Sequence, residues 1–168
     1  MSNPKVAIVM GSDSDFEKLK GCIKVLKSFQ IDVDVNVISA HRTPEQAEAF
    51  AKSAEENGIE VILAAAGKAA HLGGVLAAFT TLPVIGIPIK SSTMDGLDSL
   101  LSMVQMPKGI PVATVAIDGG DNAGILAAQM LSLKYSYLKD MLRAFKKQMA
   151  DEVMAKNEKI KAEAANIG

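Results

Sequence analysis

The stretch Val61-Ile62-Leu63-Ala64-Ala65-Ala66-Gly67-Lys68-Ala69-Ala70-His71 is apolar over its first six residues, then turns glycine-rich and small before a helical period begins. A strand with one wet face alternates apolar and polar residues, whereas one that does not alternate is covered on both faces. Apolar runs of strand length recur at Val6 to Met10, Val33 to Ile38, Val84 to Ile89 and Val112 to Ile117, each run being followed by small or polar residues and then a helix-like spacing. The helical periods fall at Phe16 to Phe29, Pro44 to Asn57, His71 to Phe79, Leu97 to Val104 and Ala123 to Leu133. Thr43-Pro44-Glu45-Gln46 is a helix start, because threonine can cap, proline suits the first turn and glutamine can reach back. Asn57-Gly58 is the matching stop.

Alternating strands and helices of this kind predict a parallel sheet with right-handed crossovers, so the expected fold is a three-layer, flavodoxin-like α/β domain. Its five strands are expected in the order 2-1-3-4-5, with helices on both faces. The chain of 168 residues reads as one domain, a sheet core over 1–133 and a helical extension over 134–168. In that extension Leu138, Met141, Leu142, Phe145, Met149 and Val153 share one helical face, for packing on the same subunit or on a neighbour. From Leu97 to Ile117 only Asp98 and Lys108 are charged, a composition suited to a subunit interface, and a homo-oligomer is expected.

Composition narrows the function. The formal net charge is −1 with both signs interspersed, which leaves no broad cationic face for nucleic acid or an anionic membrane. No apolar run approaches the roughly 18 residues of a membrane helix, and no basic-plus-apolar leader precedes the first strand, so a cytoplasmic location is expected. The single cysteine, Cys22, shares a helical face with Leu19, Ile23 and Leu26 and reads as a buried structural thiol. No Walker loop and no G-x-G-x-x-G follows a strand, so no nucleotide cofactor is expected. Two histidines and one cysteine without ligand spacing give no metal site either.

Both histidines lie just past a strand, His41 in Ser39-Ala40-His41-Arg42-Thr43-Pro44 and His71 after Ala66-Gly67-Lys68-Ala69-Ala70. Open α/β sheets bind ligands at the carboxyl ends of their strands, and imidazole is the ordinary proton carrier at neutral pH. Arg42 next to His41 adds a guanidinium suited to phosphate, although a histidine that only bonds backbone in a tight turn would look the same. In Gly11-Ser12-Asp13-Ser14-Asp15, hydroxyls and free amides can cradle an anion and a carboxylate can accept bonds from ribose hydroxyls. A capping box over Ser14 to Glu17 is the structural alternative there. His71 starts a helix after a glycine-alanine loop, where capping and packing against Leu72 weigh at least as much as catalysis.

Those segments, together with Leu97-Asp98-Ser99-Leu100-Leu101-Ser102-Met103-Val104-Gln105-Met106-Pro107 and Pro111-Val112-Ala113-Thr114, resemble the class I N5-carboxyaminoimidazole ribonucleotide mutases of purine biosynthesis. The resemblance runs from about Lys5 to Leu133. It implies an octameric isomerase without metal or cofactor, moving a carboxyl group from the exocyclic nitrogen of its substrate to carbon 4 of the imidazole. By motif position it implies that Ser12, Asp15 and Arg42 bind the ribonucleotide and that His41 transfers the proton. Ser39, Ala40, Gly67, Lys68, His71 and Leu72 complete the expected substrate-binding set. Lys68 and Gly73 depart from the family's usual glycine and proline, which bears on the third loop. The rivals are the class II enzyme, which carboxylates aminoimidazole ribonucleotide directly with carbon dioxide, and a non-catalytic ribonucleotide-binding module that would have no need of His41. A phospho-receiver is disfavoured because no acceptor aspartate ends the third strand, and a flavin carrier because strand-end aromatics are missing.

Overall fold

The computed structural model describes residues 3–167. Five parallel strands form one sheet in the order β2-β1-β3-β4-β5, the arrangement expected from the sequence. They are β1 (Lys5–Met10), β2 (Asp32–Val37), β3 (Val61–Gly67), β4 (Val84–Ile89) and β5 (Ala113–Thr114). Between and after them run α1 (Phe16–Ser28), α2 (Pro44–Ser53), α3 (Leu72–Phe79), α4 (Leu97–Val104), α5 (Gly120–Leu131) and α6 (Ser136–Ala165). The evenly apolar runs are the central strands: every residue of β4 is buried, as are the first six of β3. Val6, Ile8 and Met10 face α1, α5 and the start of α6, whereas Ala7 and Val9 face α2 and α3. At about 1.5–3 kcal/mol for each large aliphatic side chain, these two cores supply the main drive for folding.

The elements differ from expectation at their ends. β5 forms a ladder over two residues only, opposite Ile85 and Gly86, although Val115 N and Asp118 N still donate to Gly86 O (3.0 Å) and Pro88 O (2.8 Å). Pro88 has no N–H to return, so the ladder stops. α2 ends at Ser53, and single turns carry the chain on to Gly58 at φ 77°. α5 starts three residues before Ala123, at Gly120. The Thr43 hydroxyl does not cap α2. It is held instead by Ser39, in the loop before the helix.

Cys22 is fully buried, and burial pushes its thiol up to about 12, the behaviour of a structural cysteine. α6 divides in two. Leu138 and Leu142 are buried in the core with Met141 packed beside them, and Phe145 meets Phe29 edge-on at 5.8 Å. Further along, Val153, Met154 and Ile160 are each about 60% exposed. The tail thus closes its own subunit with its first turns and leaves an apolar remainder uncovered. Among the described residues no helix is long and apolar enough to cross a membrane.

Candidate active site

The loops leaving β1, β2, β3 and β4 surround a cleft of about 640 Å³ at the carboxyl ends of the strands. That volume lies within the roughly 300–1,000 Å³ of ordinary small-molecule sites. It sits where the strand order reverses between β1 and β3, the switch point at which open sheets leave room for a ligand. Gly11, Ser12, Asp15, Ser39, Ala40, His41, Arg42, Gly67, Lys68, His71 and Leu72 all line it, so the fold gathers every site residue expected from the sequence into one place.

The β1 side is built by a single 3₁₀ turn, Asp13–Asp15. Ser12 caps that turn, its hydroxyl accepting from Ser14 N at 3.3 Å and from the Ser14 hydroxyl at 3.0 Å. α1 has no side-chain cap, so the capping-box reading of this segment does not hold. Asp15 is only 9% exposed. Burial raises its carboxyl above the usual carboxylate range, Asp118 and Asp13 push the same way, and a hydrogen bond from Ser14 opposes them. A partly desolvated carboxylate facing a cleft is well placed to accept ligand hydroxyls.

The β2 side is a small, closed hydrogen-bond network. Thr43 N and Thr43 Oγ1 donate to Ser39 O at 2.8 and 3.0 Å, and Ser39 N donates back to Thr43 Oγ1 at 3.1 Å. Arg42 N and Nε donate to the Ser39 hydroxyl at 3.2 and 3.4 Å, and Arg42 Nη2 reaches Gly11 O at 3.3 Å. The guanidinium therefore bridges the first two loops, with donors left over for an anion.

His41 Nε2 and His71 Nδ1 lie 2.9 Å apart, with the rings edge to face at 80°. Both side chains are exposed into the cleft. One nitrogen of the contact must carry a hydrogen and the other a lone pair, so the contact constrains the tautomers of the two rings together. His71 occupies the N-cap position of α3 but makes no side-chain cap bond, so its imidazole serves the pair and not the helix. Spacing in sequence gives no hint of this pairing, because the two loops are brought together by β2 and β3 flanking β1 in the sheet.

Ile89, Lys90, Ser91 and Ser92 also line the cleft and were not anticipated. The signal was available, since they end or follow the fourth strand much as the others follow theirs. Lys90 N donates to Asp118 Oδ1 at 2.9 Å and Lys18 Nζ lies 2.5 Å from Asp118 Oδ2, which fixes the end of β4. These two lysines hold the Asp118 carboxyl below its ordinary range against the burial that raises it. Among the described residues no group of three or more histidine, cysteine, aspartate or glutamate side chains is arranged to hold a metal ion.

A switch-point cleft with ionisable side chains converging on it marks an α/β enzyme that acts on a small molecule. Comparison with known proteins narrows this. The AIR carboxylase family matches residues 5–152. The N5-carboxyaminoimidazole ribonucleotide mutase of Pyrococcus abyssi is 60% identical over 146 residues, spanning 87% of this chain and 84% of that protein. The mutase of the same name from Mycobacterium tuberculosis strain H37Rv is 49% identical over 164 residues, 98% of this chain and 94% of that one. Among solved structures, Treponema denticola PurE superposes with a TM-score of 0.87 at 29% identity, covering 95% of this chain and 99% of its own. The chain belongs to the AIR carboxylase family.

Proposed function

We propose that this enzyme is an N5-carboxyaminoimidazole ribonucleotide mutase of purine biosynthesis, with His41 as its general acid and base. The observation that carries the mechanism is the 2.9 Å contact between His41 and His71 inside the cleft that Arg42 also lines. A proton delivered to the carbamate nitrogen breaks the nitrogen–carboxyl bond and frees carbon dioxide. Carbon 4 of the amino-imidazole then attacks the carbon dioxide, and the tetrahedral carbon returns one proton to restore aromaticity. One proton enters and one leaves, so a single imidazole can serve both steps, with His71 fixing its hydrogen-bonding state. Ser12 and Arg42 take the phosphate and Asp15 the ribose hydroxyls, while Ser39, Ala40, Gly67, Lys68 and Leu72 form the remaining walls. A cleft bounded by four loops also holds the released gas near its acceptor carbon, a gain of the proximity kind.

We place this chemistry in one domain spanning 1–168 and in a homo-octamer. Support for assembly comes from Leu97, Leu101 and Val104, which present one face of α4 at 44–46% exposure. The class II reaction is the competing activity, and the segments His41-Arg42-Thr43-Pro44 and Met106-Pro107 favour class I. The deciding experiment gives the purified protein N5-carboxyaminoimidazole ribonucleotide in one assay and aminoimidazole ribonucleotide with bicarbonate-derived carbon dioxide in another. Rapid conversion of the first to the 4-carboxylate is expected. Turnover of the second alone would move the enzyme to class II, and saturable binding without turnover of either would make it a binding module.

A further inference from the structure

Four non-glycine residues hold a left-handed backbone, a conformation that side chains resist: Gln30 (φ 58°), Lys68 (57°), Asp95 (53°) and Asp118 (55°). Three of them have a visible structural reason. Asp118 receives Lys90 N and Lys18, Asp95 pairs with Lys90 Nζ at 3.1 Å, and Gln30 closes α1, its carbonyl accepting from the Tyr137 hydroxyl at 3.4 Å. The Lys68 side chain makes no hydrogen bond or ion pair with any described residue. Lys68 is exposed and lines the cleft from its strained loop position, three residues before His71. The cleft's other cations are engaged, Arg42 with Gly11 and Ser39 and Lys90 with Asp95.

We propose that Lys68 is the carboxylate-binding residue of the cleft, its ammonium group taking the carboxyl of the carboxylated ribonucleotide at the β3 end while Arg42 takes the phosphate at the other. This rests on the mutase reading, in which the ligand carries two separate anionic groups and the cleft needs two separate cations. A compact ammonium without fixed partners suits a group that is a carboxylate before and after the reaction but neutral carbon dioxide in between. Lys68 therefore discriminates carboxylated from uncarboxylated ribonucleotide, a role the β1 and β2 loops cannot fill because phosphate and ribose are common to both.

Calorimetric titration of the wild-type protein and Lys68→Met with 4-carboxy-5-aminoimidazole ribonucleotide and with 5-aminoimidazole ribonucleotide tests this. Methionine keeps a long side chain and the same backbone demand but has no charge. Its affinity for the carboxylated ligand should fall about tenfold or more, and that for the uncarboxylated ligand should stay within about twofold. Lys68→Gly, which accepts the left-handed backbone freely, should show the same selective loss, separating charge from loop shape. Equal losses for both ligands, or no loss for either, overturn the assignment while leaving the mutase reading intact. A wild-type protein that binds neither ligand overturns the mutase reading and the assignment with it.

Discussion

The cleft has two unlike halves. The loops after β1 and β2 are cross-tied: Ser12 to Ser14, Ser39 to Thr43 at both backbone and hydroxyl, and Arg42 to Ser39 and Gly11. The loop after β3 has one short backbone bond, His71 N to Ala69 O at 2.9 Å, and a lysine without a partner among the described residues. Side chains whose geometry is fixed in advance lose little freedom on binding, so the tied half suits the groups that stay constant through the reaction. On the proposed mechanism, the looser half faces the group that leaves, moves and returns. Where the halves meet, His41 from the tied side touches His71 from the loose side.

This contrast is broken most severely at the meeting point. His41→Asn should lower turnover by about 10²-fold to 10⁴-fold while ribonucleotide binding, measured by calorimetry, is retained. Near-normal turnover would mean that the proton comes from elsewhere. Within the tied half, Arg42→Ala should weaken ribonucleotide binding by roughly 1.5–3 kcal/mol through the lost charge-assisted bonds, and an unchanged affinity would remove Arg42 from the phosphate site.

Asp15→Asn should separate binding from folding. Because burial holds the Asp15 carboxyl above the usual range, the folded state takes up a proton more readily than the unfolded chain. Its ionisation therefore costs stability as pH rises through and beyond the ordinary carboxylate range. The asparagine variant should melt higher than wild type at neutral pH, lose that advantage in acid below the ordinary carboxylate range, and bind the ribonucleotide more weakly. A lower melting temperature at neutral pH would show that the carboxylate has a structural partner instead. The smallest effect belongs to Thr43→Val, which leaves Ser39 N without its acceptor and should cost about 1 kcal/mol in denaturant unfolding, with a loss of affinity of a few fold. No change in either would show that the cross-ties do not stiffen the loop.

Strand order and the location of the cleft were legible because the relevant signals are local. An unalternating apolar run such as Val61 to Ala66 announces a doubly covered strand, and a strand's carboxyl end announces where ligands bind. What was not legible depends on neighbours that only the fold supplies. Nothing near His71 reveals that its partner is an imidazole thirty residues earlier. Thr43 carries every mark of a cap, yet Ser39 offers its hydroxyl a closer partner. The apolar stripe of α6 reads as continuous in sequence, but the sheet domain is deep enough to cover only Leu138 to Phe145, and Val153 is left 63% exposed.

A crystal structure of the protein with 4-carboxy-5-aminoimidazole ribonucleotide tests the account most directly. The phosphate should lie on the Ser12 and Arg42 side, with carbon 4 and the exocyclic nitrogen of the ligand facing His41 within about 3.5 Å. A ligand bound with its imidazole ring turned away from the His41–His71 pair, or with its phosphate on the loop after β3, would contradict it.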